Sequence, residues 1–387
     1  MRICGDNRNL AAQDRQSQHY SPSLMGIIGK TNSLNDRDQS NPRRRHLQTL
    51  NLIRLLAGAV LFGIMASLPG EVEAHVKWFA PYDLSRAPHS PSMIWNSVFI
   101  QLALVSMLGL WSASVIETTR LGHSLLVGLN LLTETARLRT DQFLRCCLAA
   151  FFIALWSHGG IILTPELTTD RWGVEWLQVA IAAGMFWQAG MIFSGLGIIA
   201  LFAHGIQRYG WFHMMDYPIF LGFAAYCILI GLYRGRAGTV PQTVVRWSIG
   251  ITLMWASVEK WGYPEWTYPI LNQHPDLAVG FSHPFYMTAA GMAEFVFAFA
   301  LLWTPLVRRL AAIVLFATFV SAIFEFGKID AIGHLPIIAA LVVIVVEPSL
   351  GRHYPRPFWL PGCFAVALVV FVTAYCAAHA VLMHPNS

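Results

Sequence analysis

Long apolar runs with almost no charge inside them recur along this chain, and that recurrence decides its fold class. They lie at about 94–116, 146–164, 177–203, 216–233, 243–258, 285–304, 309–325, 334–347 and 361–381. A helix needs roughly 20 predominantly apolar residues to cross a bilayer. Inside lipid the backbone must satisfy its own hydrogen bonds, which a helix does within one segment. Hydrophobic residues make up 55% of the 387 and charged ones 12%, with a mean hydropathy of +0.51. Soluble domains carry about twice that charge fraction. The expectation is an all-α polytopic transmembrane bundle of about nine spans plus an N-terminal signal or anchor segment, with the lipid bilayer as its first partner. The net charge of +5 resides in short basic runs between apolar segments. That pattern belongs to cytoplasmic loops and not to a nucleic-acid surface.

The N-terminus reads differently. Residues 1–47 are polar, without apolar periodicity, and are expected to be disordered. Arg43–Arg45, an apolar stretch to Leu68 and small residues ending at Ala74 have the layout of a signal peptide. Residues 48–74 are thus a signal peptide or an uncleaved anchor, and both alternatives put 75–93 outside the cytoplasm of a bacterial inner membrane. An N-terminal bundle is expected over 94–233, a four-helix unit over 242–348 and a last helix over 361–381. Within the first of these, Leu121, Leu125, Leu129 and Leu132 share one face of a basic stretch, Arg120–Arg145. This predicts an amphipathic helix lying on the membrane surface.

Basic residues also test orientation. Arg234/Arg236, Arg308/Arg309 and Arg352/Arg356 fall in alternate loops, which places all three loops on the cytoplasmic side. Counting forward from Arg43–Arg45 gives the opposite parity at residue 234. The two counts disagree by one crossing.

Ionisable groups within spans are costly and mark function or a specific pair. The residues meeting that description are Arg246, Glu259, Lys260, Glu294, Glu325, Lys328, Asp330 and His334. Glu259–Lys260 closes an apolar helix and runs into WGYPEWTY, whose Trp261, Trp266, Tyr263 and Tyr268 suit an aromatic rim at headgroup level. Gly250 lies four residues beyond Arg246 on the same face and would let a second helix approach closely. Lys260 and Glu294 are expected either to pair and lock the bundle or to line a site. Two further carboxylates read as helix-end caps: Asp216 in MMDYP and the glutamate of LTPEL.

The order RWSIG at 246–250, EK at 259–260, GMAE at 291–294 and TPLVRRLA at 304–311, then two more apolar helices ending near Glu347, resembles the DoxX/DoxD-like family. The resemblance covers about 242–348. It implies a four-helix bacterial membrane unit and a place in a membrane redox system, since the name-giving members are linked to thiosulfate oxidation with quinone as acceptor. It therefore points to quinone as cofactor and to a periplasmic redox partner. A quinone would need an apolar slot between helices, with Glu294, Lys260 and the aromatics at its head.

Fourteen histidines and six cysteines lack HExxH, CxxC and CxxCH spacings. Haem would need histidines facing each other across helices, for which His158 and His204 are the candidates, with His213 as a further metal ligand. Copper would suit His75 if cleavage after Ala74 frees its amine beside the imidazole. No Walker loop, dinucleotide fingerprint or nucleophile elbow is present. Three function classes follow: a membrane redox component, a transport or metal-handling protein, and a non-catalytic assembly or stress protein.

Overall fold

A computed structural model describes residues 77, 82–233, 238–347 and 359–383. The polar leader over 1–47, the segment over 48–74 and His75 lie outside the described residues, as do Arg234, Arg236, Arg352 and Arg356. The described residues are all-helical, without strands. A short turn, α1 (Pro91–Ile94), leads into α2 (Ser97–Glu117), α3 (Arg120–Arg137), α4 (Thr140–His158), α5 (Trp172–Gly184), α6 (Gly190–Met214) and α7 (Pro218–Tyr233). Then come α8 (Val240–Gly262), the short α9 (Tyr268–Gln273), α10 (His283–Ala300), α11 (Pro305–Phe326), α12 (Lys328–Val346) and α13 (Trp359–Met383).

Five of these helices, α2, α6, α11, α12 and α13, are long and apolar enough to cross a membrane. The protein is a multi-pass membrane protein on that evidence. Helix α8 packs against α10, α10 against α11, α11 against α12 and α12 back against α8, closing a four-helix ring. Around it, α7 lies on α8, α6 on α7, α5 on α6, α4 between α5 and α12, and α2 and α13 against α10 and α8.

Two sequence expectations change here. The run at 177–203 is not one span, because Met185–Ala189 breaks it into α5 and α6, which pack on each other as a hairpin. Continuous apolar sequence across a short turn hides the break, since the turn itself lies among apolar neighbours. The surface helix ends at Arg137 rather than Arg145, and α4 begins at Thr140. On α3, Leu121, Leu125 and Leu132 are exposed, as an apolar face directed at lipid requires.

Arg308 and Arg309, expected in a loop, lie in the first turn of α11 and are buried. Glu117, at the end of α2, caps the start of that helix. Its carboxylate accepts from Leu306 N at 3.1 Å, Val307 N at 3.3 Å and the Thr304 hydroxyl. A carboxylate at a helix N-terminus satisfies free N–H groups and opposes the helix dipole.

Helices α8 and α10 meet at Gly250. A Cβ there would lie 2.8 Å from Leu302 Cδ2 and 3.3 Å from the Ala298 carbonyl oxygen. Without a hydrophobic drive between helices in lipid, such close backbone approach supplies the packing energy. Gly250→Val should therefore lower the melting temperature of the detergent-purified protein, at a cost of about 1–3 kcal/mol from overpacking. Gly109→Ala, where a Cβ meets nothing within 4 Å, should leave it unchanged or slightly raised.

Candidate functional site: a lysine among buried carboxylates

Lys77 is the centre of the site. Its side chain is 2% exposed, and its Nζ pairs with Asp216 Oδ2 and with Glu259 Oε2. The rings of Tyr82 and Trp266 stand 5.7 and 5.8 Å from the same ammonium, within cation–π range. Asp216 sits in the short connection between α6 and α7, and Glu259 in the last turn of α8. Burial alone would push the Lys77 pKa down, but the charges of Asp216, Glu259 and Glu166 outweigh it and hold it well above the ordinary value.

Glu166 completes the set from the connection between α4 and α5. That connection is rigidly built: Thr169 N donates to Gly160 O at 2.7 Å, Ile162 N to Leu167 O at 2.7 Å, and Gln178 Nε2 to Ile161 O at 2.6 Å. Glu166 Oε1 lies 2.9 Å from His213 Nε2 and accepts the Tyr217 hydroxyl. Burial raises the Glu166 pKa, yet the His213 hydrogen bond and the Lys77 charge bring it below the ordinary carboxylate value. Glu166 is thus anionic at neutral pH. Its other oxygen, Oε2, is buried and has no hydrogen-bond partner among the described residues. Helix α6 delivers His213 to this place through a kink at Gly210, where φ is 83°. That backbone conformation suits glycine and few other residues.

The chain before α1 is strapped across the same end. His89 N donates to Gly262 O at 2.8 Å, Tyr263 Oη to Arg86 O at 2.8 Å, and His379 Nε2 lies 2.9 Å from Leu84 O. A cavity of about 70 Å³ adjoins Lys77. Its walls include Asp216, Tyr217, Glu259, Glu294 and His334.

The ionisable residues singled out from sequence divide between two places. Lys260 pairs with Glu294, as one of the two expectations had it. His334 Nδ1 lies 2.9 Å from Asp330 Oδ2 one turn away on α12, both buried. Lys328 is half-buried at the start of α12, and Glu325 belongs to the last turn of α11. Arg246 does not join them. It lies thirteen residues before Glu259 on α8, ~20 Å along the axis at 1.5 Å per residue. There it donates to both carboxylate oxygens of Glu347, at 2.7 and 2.8 Å. Arg308 Nε stands 3.6 Å from the same carboxylate, and Arg309 Nε donates to the Glu347 carbonyl at 3.1 Å.

The aromatic rim is also placed differently. Trp261, Tyr263 and Trp266 are buried, and only Tyr268 is half-exposed. Trp261 packs edge-on against Phe99 and donates to Thr288 O at 3.2 Å, while Tyr263 stacks on Trp266 with centroids 4.0 Å apart. The strap over 82–90 meets Tyr263 through Arg86 O and Trp266 through the Tyr82 ring, which a local reading of WGYPEWTY could not foresee.

The metal candidates do not converge. His158 is exposed at the end of α4, with Nδ1 3.3 Å from Gly159 O, and His204 Nε2 lies 3.2 Å from Thr169 Oγ1. Among the described residues no three His, Cys, Asp or Glu side chains are grouped to hold a metal ion.

Lys77, Glu166 and Asp216 carry the site, and a linear reading passed over all three as a flank residue and two helix caps. The available signal was a charge abutting an apolar run on each of three segments. Comparison with known proteins finds no matching family, no matching curated protein and no matching solved structure.

Breaking a buried ion pair by removing one partner costs about 3–5 kcal/mol. Lys77→Met and Glu259→Gln should each destabilise the detergent-purified protein by that order. The double variant should lose less than the sum, with a coupling of about 1 kcal/mol or more in a double-mutant cycle. Strictly additive melting shifts would mean that the two groups do not interact.

Proposed function

We propose that this membrane protein exchanges protons, or small cations in their place, at the buried acidic cluster around Lys77. The charge imbalance carries this reading: three buried carboxylates, Glu166, Asp216 and Glu259, surround one lysine beside a cavity. Ionisable groups this deep in a membrane protein mark ion and proton pathways by default. His213 joins the cluster through Glu166 Oε1, 2.9 Å from its Nε2. The cavity has room for about two waters at ~30 Å³ each. Ligand pockets begin at about 300 Å³, so a proton or small cation fits here better than a quinone ring.

The redox role implied by DoxX-like kinship is the second reading. Its support is the ring of α8, α10, α11 and α12, which falls within the residues of the resemblance, with the Lys260–Glu294 pair at its rim. In that reading a quinone headgroup would be met by this pair.

The arginine-bearing end, with Arg246, Arg308 and Arg309, is assigned to the cytoplasm and the Lys77 end to the exterior of a bacterial inner membrane. In whole cells a cysteine at Ser85 should react with a membrane-impermeant thiol reagent, whereas one at His123 should react only after lysis. The reverse pattern would invert the orientation.

The proton-exchange reading is tested in vesicles loaded with a pH-sensitive dye and holding the purified full chain. After an acid pulse, the wild type should equilibrate faster than empty vesicles. Losing one buried carboxylate should remove about tenfold or more of that rate, as 1.4 kcal/mol or more of lost interaction implies. Glu259→Gln and Asp216→Asn should show this loss, and His158→Gln should behave as wild type. Equal rates in all variants would make the cluster a structural lock.

A further inference from the structure

The cavity beside Lys77 extends past the ion pairs. Each helix of the four-helix ring puts a residue into its wall: Glu259 from α8, Glu294 from α10, Phe319 from α11 and His334 from α12. Lys77 and Asp216 border the same space, so the interior of the ring is continuous with the buried charges. Thr252, also in the wall, lies ten residues before the end of α8 at Gly262, and His334 six residues after the start of α12 at Lys328. At 1.5 Å per residue these positions are ~15 and ~9 Å along their helices. The space therefore reaches toward the middle of a hydrocarbon core about 30 Å thick.

Two observations give this space a task. The first is Thr164, which lines the cavity and is 4% exposed. Its hydroxyl oxygen is buried beside Tyr217, yet has hydrogen-bond geometry to none of the described residues. Buried hydroxyls are satisfied by protein or by water, and a cavity of about 70 Å³ with polar walls has room for water. The second is His334. Its Nδ1 lies 2.9 Å from Asp330 Oδ2 one turn away, and the Phe319 ring packs on it at 4.8 Å. A carboxylate on one ring nitrogen fixes the orientation of an imidazole, whose ordinary pKa suits it to take up and release protons near neutrality.

The ionisable groups that share the cavity with His334 are Lys77, Asp216, Tyr217, Glu259 and Glu294. Glu294 has Lys260 to itself, whereas Asp216 and Glu259 share one lysine. One of those two carboxylates can therefore take a proton while Lys77 stays paired with the other, and Glu259 is the one on a helix of the ring.

We propose that His334 is the inner proton acceptor of this protein, reached from Glu259 through water in the ring cavity. In this step protonated Glu259 gives its proton to a cavity water, which passes one on to the His334 imidazole. Glu259 is left as a carboxylate beside Lys77, and the imidazolium forms beside the Asp330 carboxylate. The reverse step returns the proton. The inference deepens the proton-exchange reading and rests on it.

The test uses the purified full chain in dye-loaded vesicles after an acid pulse, with the melting temperature of each variant measured alongside. Glutamate and glutamine have nearly the same shape and differ in whether they carry a proton. His334→Gln should lose about tenfold or more of the exchange rate, since a positioned acid–base group contributes at least that much. His334→Glu should retain most of it, whereas a residue that only packs would treat the two substitutions alike. Ala256 lines the cavity from α8 and is half-buried, so a larger side chain can be accommodated. Ala256→Leu should slow exchange by a similar factor with Lys77, Glu259 and His334 all in place, and it decides the matter if the His334 variants do not fold. Wild-type rates in His334→Gln or Ala256→Leu, or equal losses in His334→Gln and His334→Glu, would overturn the inference and leave the exchange reading standing. A wild type no faster than empty vesicles would overturn both.

Discussion

One ammonium ion, that of Lys77, draws two distant parts of the chain to a point where water is scarce. Asp216 comes from a turn between two helices and Glu259 from the end of a third. Each charge by itself would be expensive to bury, and together they are mutually satisfied. The strap over 82–90 and the aromatic floor of Tyr263 and Trp266 close the cluster from outside. That closure excludes water and strengthens each electrostatic contact within.

The opposite end of α8 offers a contrast. There Glu347 is met by Arg246 on both oxygens, with Arg308 close by and Arg309 on its backbone carbonyl. Positive charge is in excess, arginines replace lysine, and the arrangement ties the ends of α8, α11 and α12 together. Arginine's fixed fork suits such anchoring, whereas a lysine's point charge is easily re-partnered. One end of the ring is thus tied by arginines and the other by a lysine. The hydroxyls of Ser248, Thr252 and Ser257 lie buried between them along α8. Each makes a bond to backbone in its own neighbourhood.

Much of this was readable from residue order wherever the signal was local. Apolar length announced the helices, leucine spacing announced the exposed face of α3, and Gly250 announced the close contact of α8 with α10. The Lys260–Glu294 pair was within reach because both residues stand inside apolar runs, where a charge must have a partner. The break at Met185–Ala189 was not, because a tight turn between two packed helices needs no polar residues. Trp261, Tyr263 and Trp266 looked like surface aromatics because nothing in their own stretch names the chain that covers them.

By itself, then, the sequence determined that this is a helical membrane protein, since hydropathy and backbone satisfaction in lipid depend only on local composition. It also marked most of the charges that needed partners. Which charges meet was decided by tertiary structure alone. Lys77 lies 139 residues from Asp216 along the chain, and His213 lies 47 from Glu166. No periodicity links such positions, because electrostatic partnership follows distance in space. The burial that makes those charges consequential exists only once the helices have packed.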